Sequence, residues 1–140
     1  MDERICPETG KVMRRGVRPM TLTYKSQSIT VQQPGWYTDD GENGMHVGSD
    51  LKVSDRALNL MKARERGFLE PKEIRRIRKK LALTQKEAGR LIGGGVNAFQ
   101  KYEAGDILIS SGVSNALRML DRNPDNLNVL VEHSQEMDYA

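Results

Sequence analysis

The chain has 140 residues, with 22 lysines and arginines against 19 aspartates and glutamates and a formal net charge of +3. That length allows one ordinary domain or two small ones. No apolar run approaches the roughly 20 residues of a membrane span, and the N-terminus lacks the apolar core of a signal peptide. The only cysteine, Cys6, excludes an intramolecular disulfide. We therefore expect a cytoplasmic protein with no membrane partner.

Residues 1–48 are rich in Gly, Thr, Gln and Pro, with short apolar runs that are typical of strands separated by turns. The predicted strands cover residues 11–15, 20–24, 28–31 and 35–37. The predicted core of this half consists of Val12, Leu22, Ile29, Val31 and Trp36. Because so small a core contributes little stability, we expect this half to be loose or to need a partner.

Helical patterns fill residues 50–131. The predicted helices cover residues 51–66 (capped by Ser49 or Asp50), 71–81, two short helices within 83–105, one capped by Ser110 or Ser111, and one opened by Asn123-Pro124. The positions expected to face inward outside residues 83–105 are Leu51, Leu58, Met61, Ile74, Ile77, Leu81, Val113, Leu117, Leu120, Leu127 and Leu130. Residues 133–140 form a polar tail that is expected to fray.

Residues 83–105 predict a helix-turn-helix. Thr84 and Glu87 fit a capping box at the start of its first helix, and three successive glycines at 93–95 permit a sharp turn. The apolar positions of the two helices are Ala88, Leu91, Ile92, Val96, Phe99 and Tyr102, and Gly105 ends the second helix. The outward face of the second helix is predicted to present Asn97, Ala98, Gln100 and Lys101.

Basic residues crowd the helix that precedes this motif. They are Arg75, Arg76, Arg78, Lys79 and Lys80. A run of this kind is either a solvated face or part of a nucleic-acid-binding surface, and its position beside the helix-turn-helix favours the second interpretation.

The residues Thr84 to Ala88 and Phe99 to Gly105, with Arg78, resemble the Cro/repressor-type (XRE) family of DNA-binding domains. More narrowly, residues 77–88 and 93–99 are similar to the MqsA/YgiT group of type II antitoxins. The resemblance implies an α+β protein: a small N-terminal β-rich domain with a following helix (1–67), a five-helix lambda-repressor-like domain (68–132) and a tail (133–140).

The resembled antitoxins carry an N-terminal zinc site built from two Cys-x-x-Cys pairs. Here Cys6 keeps the first ligand, whereas Thr9, Thr38 and Gly41 stand at the other three positions. A structural zinc site needs about four Cys or His ligands, which one thiol, scattered carboxylates and His46 do not supply. We therefore predict a metal-free domain and no cofactor.

The resemblance also places Asn97 and Lys101 at the positions that read bases. Asn can pair with adenine N6 and N7, Lys can donate to guanine O6 and N7, and Ala98 is small enough to meet a thymine methyl group. Gln100 is expected at the edge of the groove. The alternative for these side chains is an ordinary exposed helix face.

Contacts with the DNA backbone are expected at the start of the first helix of the motif. Gln85 lies where free amides and the helix dipole favour a phosphate, and Lys86 and Thr84 stand beside it. Arg78 and Glu103 match family positions that form a structural ion pair.

No catalytic constellation is visible, so we predict that the chain is not an enzyme. His46 and His133 have no partners at a nucleophile–base spacing, and Cys6 has no neighbouring histidine. Asp39, Asp40 and Glu42 cluster beside glycines, as in a polar turn.

The predicted function is that of an antitoxin which neutralises an mRNA-cleaving toxin, MqsR-like or RelE/HigB-like, and represses its own operon as a homodimer on palindromic operator DNA. Only the resemblance supports the toxin. One alternative is a free-standing XRE-type regulator with an N-terminal sensing or interaction domain, although residues 1–48 offer little apolar sequence for a ligand cavity. A remoter one is a non-specific nucleic-acid-binding protein.

Overall fold

The N-terminal part of the chain forms an antiparallel sheet with the strand order β1-β2-β3-β4. The computed structural model describes residues 3–138, apart from the side chain of Asp138. The strands are β1 (Glu3–Ile5), β2 (Val12–Tyr24), β3 (Gln27–Thr38) and β4 (Gly44–Met45). The α+β class predicted from the sequence is confirmed by this sheet and the helices that follow it.

Strands β2 and β3 are longer than predicted, because each continues through residues that were expected to form turns. They pair without a break from Met13↔Thr38 to Tyr24↔Gln27, passing Val17↔Pro34 and Pro19↔Gln32. Proline is tolerated here because, among residues 3–138, β1 pairs only with residues 12–14 of β2 and β4 only with residues 36–37 of β3. The remaining length is a two-stranded ribbon with open edges, where a missing N–H breaks no ladder.

The core of the sheet lies at its β1 and β4 end. Cys6, Met13 and Trp36 are buried together, with Met45 and Val47 packed against them. The prediction of Trp36 is confirmed, whereas that of Val12 is wrong: Val12 is 37% exposed and its neighbour Met13 is 1% exposed. Successive strand residues point to opposite faces, so an error of one position exchanges the inside for the outside.

The other three predicted core residues of this half lie outside that cluster. Leu22, Ile29 and Val31 are half-buried on the two-stranded ribbon. The ribbon holds them on one face by the pairs Leu22↔Ile29 and Met20↔Val31. On the other face, Thr21 and Thr30 are joined by a hydroxyl–hydroxyl hydrogen bond of 2.8 Å.

In the described part of the chain, six α-helices follow the sheet. They are α1 (Lys52–Arg66), α2 (Pro71–Lys80), α3 (Gln85–Leu91), α4 (Ala98–Ala104), α5 (Ser111–Arg122) and α6 (Leu127–Asp138), with a short 3-10 helix at Pro124–Asn126. The predicted cap Ser110 is confirmed by its hydroxyl, which accepts from the Val113 amide at 3.2 Å. The prediction of a frayed tail from residue 133 is wrong, since α6 continues to Asp138; residues 139–140 lie outside the described part.

Two predictions about the start of α1 are also wrong. Leu51 is 49% exposed instead of facing inward. The Asp50 carboxylate does not cap the helix but accepts two hydrogen bonds from Arg15 (2.8 and 3.0 Å) and one from the Val47 amide (3.0 Å). The Arg15 guanidinium, with the Val47 amide, lowers the pKa of Asp50 to about 2.

The helical core contains most of the residues that the 3.6-residue period predicted. Its buried members are Leu69, Ile74, Ile77, Leu81, Ala88, Ala98, Phe99, Tyr102, Ile109, Leu117 and Leu120. The apolar side chains that pack against this core while remaining partly exposed are Phe68, Leu83, Ile92, Val113, Leu127 and Leu130.

The chain divides by its contacts into Met1–Leu58 and Asn59–Ala140. The boundary was predicted after residue 67. In the structure, Gly67 follows the last residue of α1 and has φ 71°. The division falls earlier because the second half of α1 contacts the helical unit. The Asn59 amide donates to the Gly105 carbonyl at 2.9 Å.

Candidate nucleic-acid interface

Helix α3 begins at the capping box that the sequence predicted. The Glu87 amide donates to Thr84 Oγ1 at 3.1 Å, and the Thr84 amide donates to Glu87 Oε1 at 3.0 Å. These bonds satisfy two amides that have no partner within the helix and lower the pKa of Glu87. The first helix of the motif therefore has a defined start.

The turn between α3 and α4 requires glycine for two reasons, its backbone conformation and its close packing against α3. Gly93, Gly94 and Gly95 have φ values of 144°, 94° and 93°, a region that other residues rarely adopt. The turn also packs closely on α3, because a Cβ atom at Gly89 would lie 1.9 Å from the Gly95 carbonyl oxygen. The sequence pattern predicts the three turn glycines but not Gly89, because the role of Gly89 depends on a tertiary contact.

Helix α4 separates a buried face from an exposed one. Ala98, Phe99 and Tyr102 are 6%, 0% and 7% exposed, and the two aromatic rings meet edge to face with centroids 5.5 Å apart. Asn97, Gln100 and Lys101 are exposed. The spacing of these three side chains brings them to one surface of the helix and the turn before it.

Two expectations about this helix are wrong. Val96, expected in the apolar stripe, is 49% exposed, and Ala98, expected on the outward face, belongs to the core. The reason is that α4 begins only at Ala98, so the residues before it follow the glycine turn instead of the helical period. Ala98 is therefore no longer a candidate for contact with a thymine methyl group.

Asn97 and Lys101 are both exposed to solvent. Asn97 precedes α4 with φ −103° and ψ −1°, and its side chain makes no capping hydrogen bond. Lys101 is exposed one helical turn later. The amide and the ammonium are therefore not committed to capping or burial at this surface.

Arg78 and Glu103 form the ion pair that the resemblance implied. Arg78 Nε and Nη2 donate to the two Glu103 carboxylate oxygens at 2.7 and 2.8 Å, and Nη1 donates to the Leu83 carbonyl at 2.9 Å. The side chains are only 12% and 6% exposed, and the carboxylate raises the pKa of Arg78. The pair joins α2 to α4 and so fixes the helix that carries Asn97 and Lys101.

The basic run on α2 is largely used inside the molecule. Besides Arg78, Arg76 Nη2 lies 2.8 Å and Lys80 Nζ 3.0 Å from the carboxylate of Asp121 on α5. These cations hold the pKa of Asp121 well below its usual range. Arg75, Arg76, Lys79 and Lys80 are all exposed, and of these Arg76 and Lys80 are the two that pair with Asp121.

The candidates for phosphate contact differ in accessibility. Lys86 and Thr84 are exposed, whereas Gln85 is half-buried. The Thr84 hydroxyl accepts a hydrogen bond from the Glu87 amide, and its single proton remains available to donate to a phosphate. Arg90, which the sequence analysis did not single out, is a further exposed cation on α3.

Two of the positions that hold zinc ligands in similar antitoxins, Thr38 and Gly41, lie in a hydrogen-bonded turn. The Thr38 hydroxyl donates to Asp40 at 2.6 Å and accepts from the Asn43 amide at 3.1 Å. Lys11 forms ion pairs with Asp40 and with Glu42, and the Lys11 ammonium holds the pKa of Asp40 well below its usual range. Hydrogen bonding by Thr9 lowers the pKa of the Cys6 thiol.

These residues do not fit a zinc ion. A hydroxyl that already bonds a carboxylate and an amide, together with a glycine, stands where thiolates would be needed. Between residues 3 and 138 no three His, Cys, Asp or Glu side chains are grouped so that they could hold a metal.

The two histidines belong to different parts of the chain, His46 to the N-terminal unit and His133 to α6. His46 Nδ1 is 3.1 Å from the Pro34 carbonyl, and its ring meets Tyr37 edge on. His133 is exposed on α6. Over the described residues, no helix combines the length and apolarity that crossing a membrane requires.

Comparison with known proteins agrees with this architecture. Residues 4–131 match the family described as the antitoxin component of a bacterial toxin–antitoxin system, MqsA. The chain is also 50% identical over 58 residues to Antitoxin MqsA of Escherichia coli (strain K12). That similarity covers 41% of this chain and 44% of its relative. Since the family match extends from the sheet into α6, over most of the chain, the chain belongs to the MqsA antitoxin family.

Proposed function

We propose that this protein neutralises a ribonuclease toxin through its N-terminal half and represses its own operon, as a homodimer in the cytoplasm, through its helix-turn-helix. It acts by binding and not by catalysis. The observation that carries the DNA-binding part is the exposed surface of Asn97, Gln100 and Lys101 on a helix whose opposite face is buried.

Base recognition is assigned to the side chains at the start and middle of α4. Asn97 pairs with adenine N6 and N7, and Lys101 donates to guanine O6 and N7. Each such contact discriminates against a wrong base by about 1–3 kcal/mol. Gln100 lies beside them at the edge of the groove.

Backbone contacts are assigned to Lys86, Gln85 and Thr84 at the start of α3. Of these, Lys86 contributes most, because it is exposed and carries the charge that releases a counterion from the duplex. Gln85 and Thr84 donate neutral hydrogen bonds that set the register of the domain on the DNA.

Dimerisation is supported by an apolar surface on the last two helices. Met119 of α5 and Val129 of α6 are 66% and 63% exposed. They line an open groove of about 370 Å³ together with Leu120 and Leu130. A second copy that covers this groove would bury apolar side chains that no described residue covers, and two recognition helices about 34 Å apart would read a palindrome.

Toxin binding is assigned to the β2–β3 ribbon. Its apolar face carries the half-buried residues Leu22 and Ile29, outside the core of the sheet, and among the described residues its two edges are unpaired beyond β1 and β4. A two-stranded ribbon is marginally stable alone in water. A partner protein that packs on this face, or pairs with an edge, would stabilise it.

One observation supports the alternative function, a regulator that senses a small ligand. The sheet carries an open groove of about 390 Å³ lined by Cys6, Met13, Glu42 and Met45 among others. Its volume is within the range of small-molecule sites, contrary to the expectation that residues 1–48 offer too little cavity. The groove is open and partly polar, so we favour the antitoxin.

The DNA-binding proposal is tested by measuring how strongly the protein prefers its upstream promoter fragment over a scrambled duplex. Asn97→Ala and Lys101→Ala should each reduce this preference by about 5- to 150-fold, the equivalent of one base contact. Asn115→Ala and Lys52→Ala, at exposed positions on α5 and α1, should leave it unchanged. A preference that survives both substitutions in α4 would refute the assignment of the recognition helix.

The toxin-binding proposal is tested by co-expression with a short, basic open reading frame adjacent in the genome. We expect the two proteins to co-purify and the antitoxin to rescue growth. Leu22→Lys should break the complex, whereas Thr21→Lys, on the opposite face of the same strand, should not. Failure of the wild-type chain to rescue growth from that neighbour would remove the antitoxin assignment.

A further inference from the structure

The residue before Asn97 is an exposed apolar one that was expected in the core. Val96 immediately precedes Asn97 and is 49% exposed. Its position follows from the glycine turn: Gly95 has φ 93°, and the Ala98 amide closes the turn on the Gly95 carbonyl at 3.2 Å. Helix α4 begins at Ala98, and the side chain of Ala98 is buried in the core.

An exposed valine contributes little to the fold, but it fits one feature of the major groove. The C5-methyl group of thymine is the apolar group that base pairs present there, and it is read by apolar contact. Because Ala98 is buried, Val96 is the apolar side chain beside Asn97 that remains available for this contact. We infer that Val96 contacts the C5-methyl group of a thymine next to the adenine that Asn97 reads.

The spacing of chain and duplex supports adjacent base pairs. Consecutive Cα atoms are about 3.8 Å apart, and consecutive bases on one strand are separated by about 3.4 Å. Two neighbouring residues can therefore reach two neighbouring base pairs. Val96 acts as a specificity-determining residue: it favours thymine over cytosine, whose C5 position bears hydrogen. This inference rests on the proposed binding of operator DNA by α4.

The experiment removes the methyl group from the DNA and the valine from the protein, separately and together. The probe is the duplex that the wild-type protein selects from a random-sequence library. Each thymine is replaced in turn by deoxyuridine, which lacks only the C5-methyl group. Dissociation constants are measured by fluorescence anisotropy for the wild type, for Val96→Ala and for Lys101→Ala, and thermal unfolding verifies that each variant folds.

We expect one thymine per half-site whose replacement weakens wild-type binding about fourfold, the contribution of one buried methyl group. The same replacement should have no effect on Val96→Ala, whereas Lys101→Ala should keep the penalty. Equal penalties in the wild type and Val96→Ala, or no penalty at any thymine, would overturn the inference while leaving operator binding intact. Failure to select any sequence would overturn operator binding itself, and this inference with it.

Discussion

The Arg78–Glu103 pair gives the sharpest test of how α4 is held against α2. Glu103→Ala would leave the Arg78 guanidinium, 12% exposed, with only the Leu83 carbonyl as a partner. Removing one member of a buried pair costs about 3–5 kcal/mol, because the remaining charge is buried without compensation. With a urea dependence of about 2 kcal/mol/M, a loss of about 4 kcal/mol lowers the unfolding midpoint by about 2 M.

The matched control is Glu73→Ala, which breaks an ion pair to Arg76 whose members are about half exposed. Exposed pairs contribute at most about 1 kcal/mol, so the midpoint should move little. The double variant Arg78→Met with Glu103→Leu should recover most of the loss, since it removes both charges together. Urea unfolding followed by far-ultraviolet circular dichroism measures all three. If Glu103→Ala costs no more than Glu73→Ala, the pair does not hold α4.

Acid, chelator and salt each test a separate interaction. The pKa of Asp50, lowered to about 2 by Arg15 and the Val47 amide, lies below its usual value of about 3.9. The stability it contributes is therefore complete above about pH 4 and is lost as the pH falls through about 2; Asp50→Asn should flatten this part of the stability–pH curve, and an unchanged curve would contradict the linkage. A chelator such as EDTA should leave the thermal midpoint unchanged, because the zinc positions hold a hydrogen-bonded turn; a fall would reveal a structural metal. Lys86→Gln should reduce the slope of log affinity against log salt by about 1, whereas equal slopes for it and Lys52→Gln would remove Lys86 from the phosphate contacts.

Local signals were sufficient to predict the helix-turn-helix. A capping box and a run of glycines each act within a few residues and have the predicted geometry in the structure. The 3.6-residue apolar period predicted most of the helical core but not the exposure of Val96 or the burial of Ala98. The resemblance to repressor-type domains supplied the Arg78–Glu103 pair, which joins positions too distant in sequence for periodicity to connect. The strands were predicted less well, because an alternating pattern does not reveal where a ribbon continues beyond the rest of its sheet.

By itself, the sequence determined which segments form helices and several of the residues that cap them, and it shows that three of the four Cys-x-x-Cys ligands of a zinc site are missing. Tertiary structure decided which side chains those helices expose. Val96 and Ala98 exchanged their expected places because the glycine turn, and not the helical period, sets the backbone before α4. Arg76 and Lys80 were committed to Asp121 by the packing of α2 against α5. Capping and periodicity depend on neighbours along the chain, whereas exposure and ion pairing depend on neighbours in space.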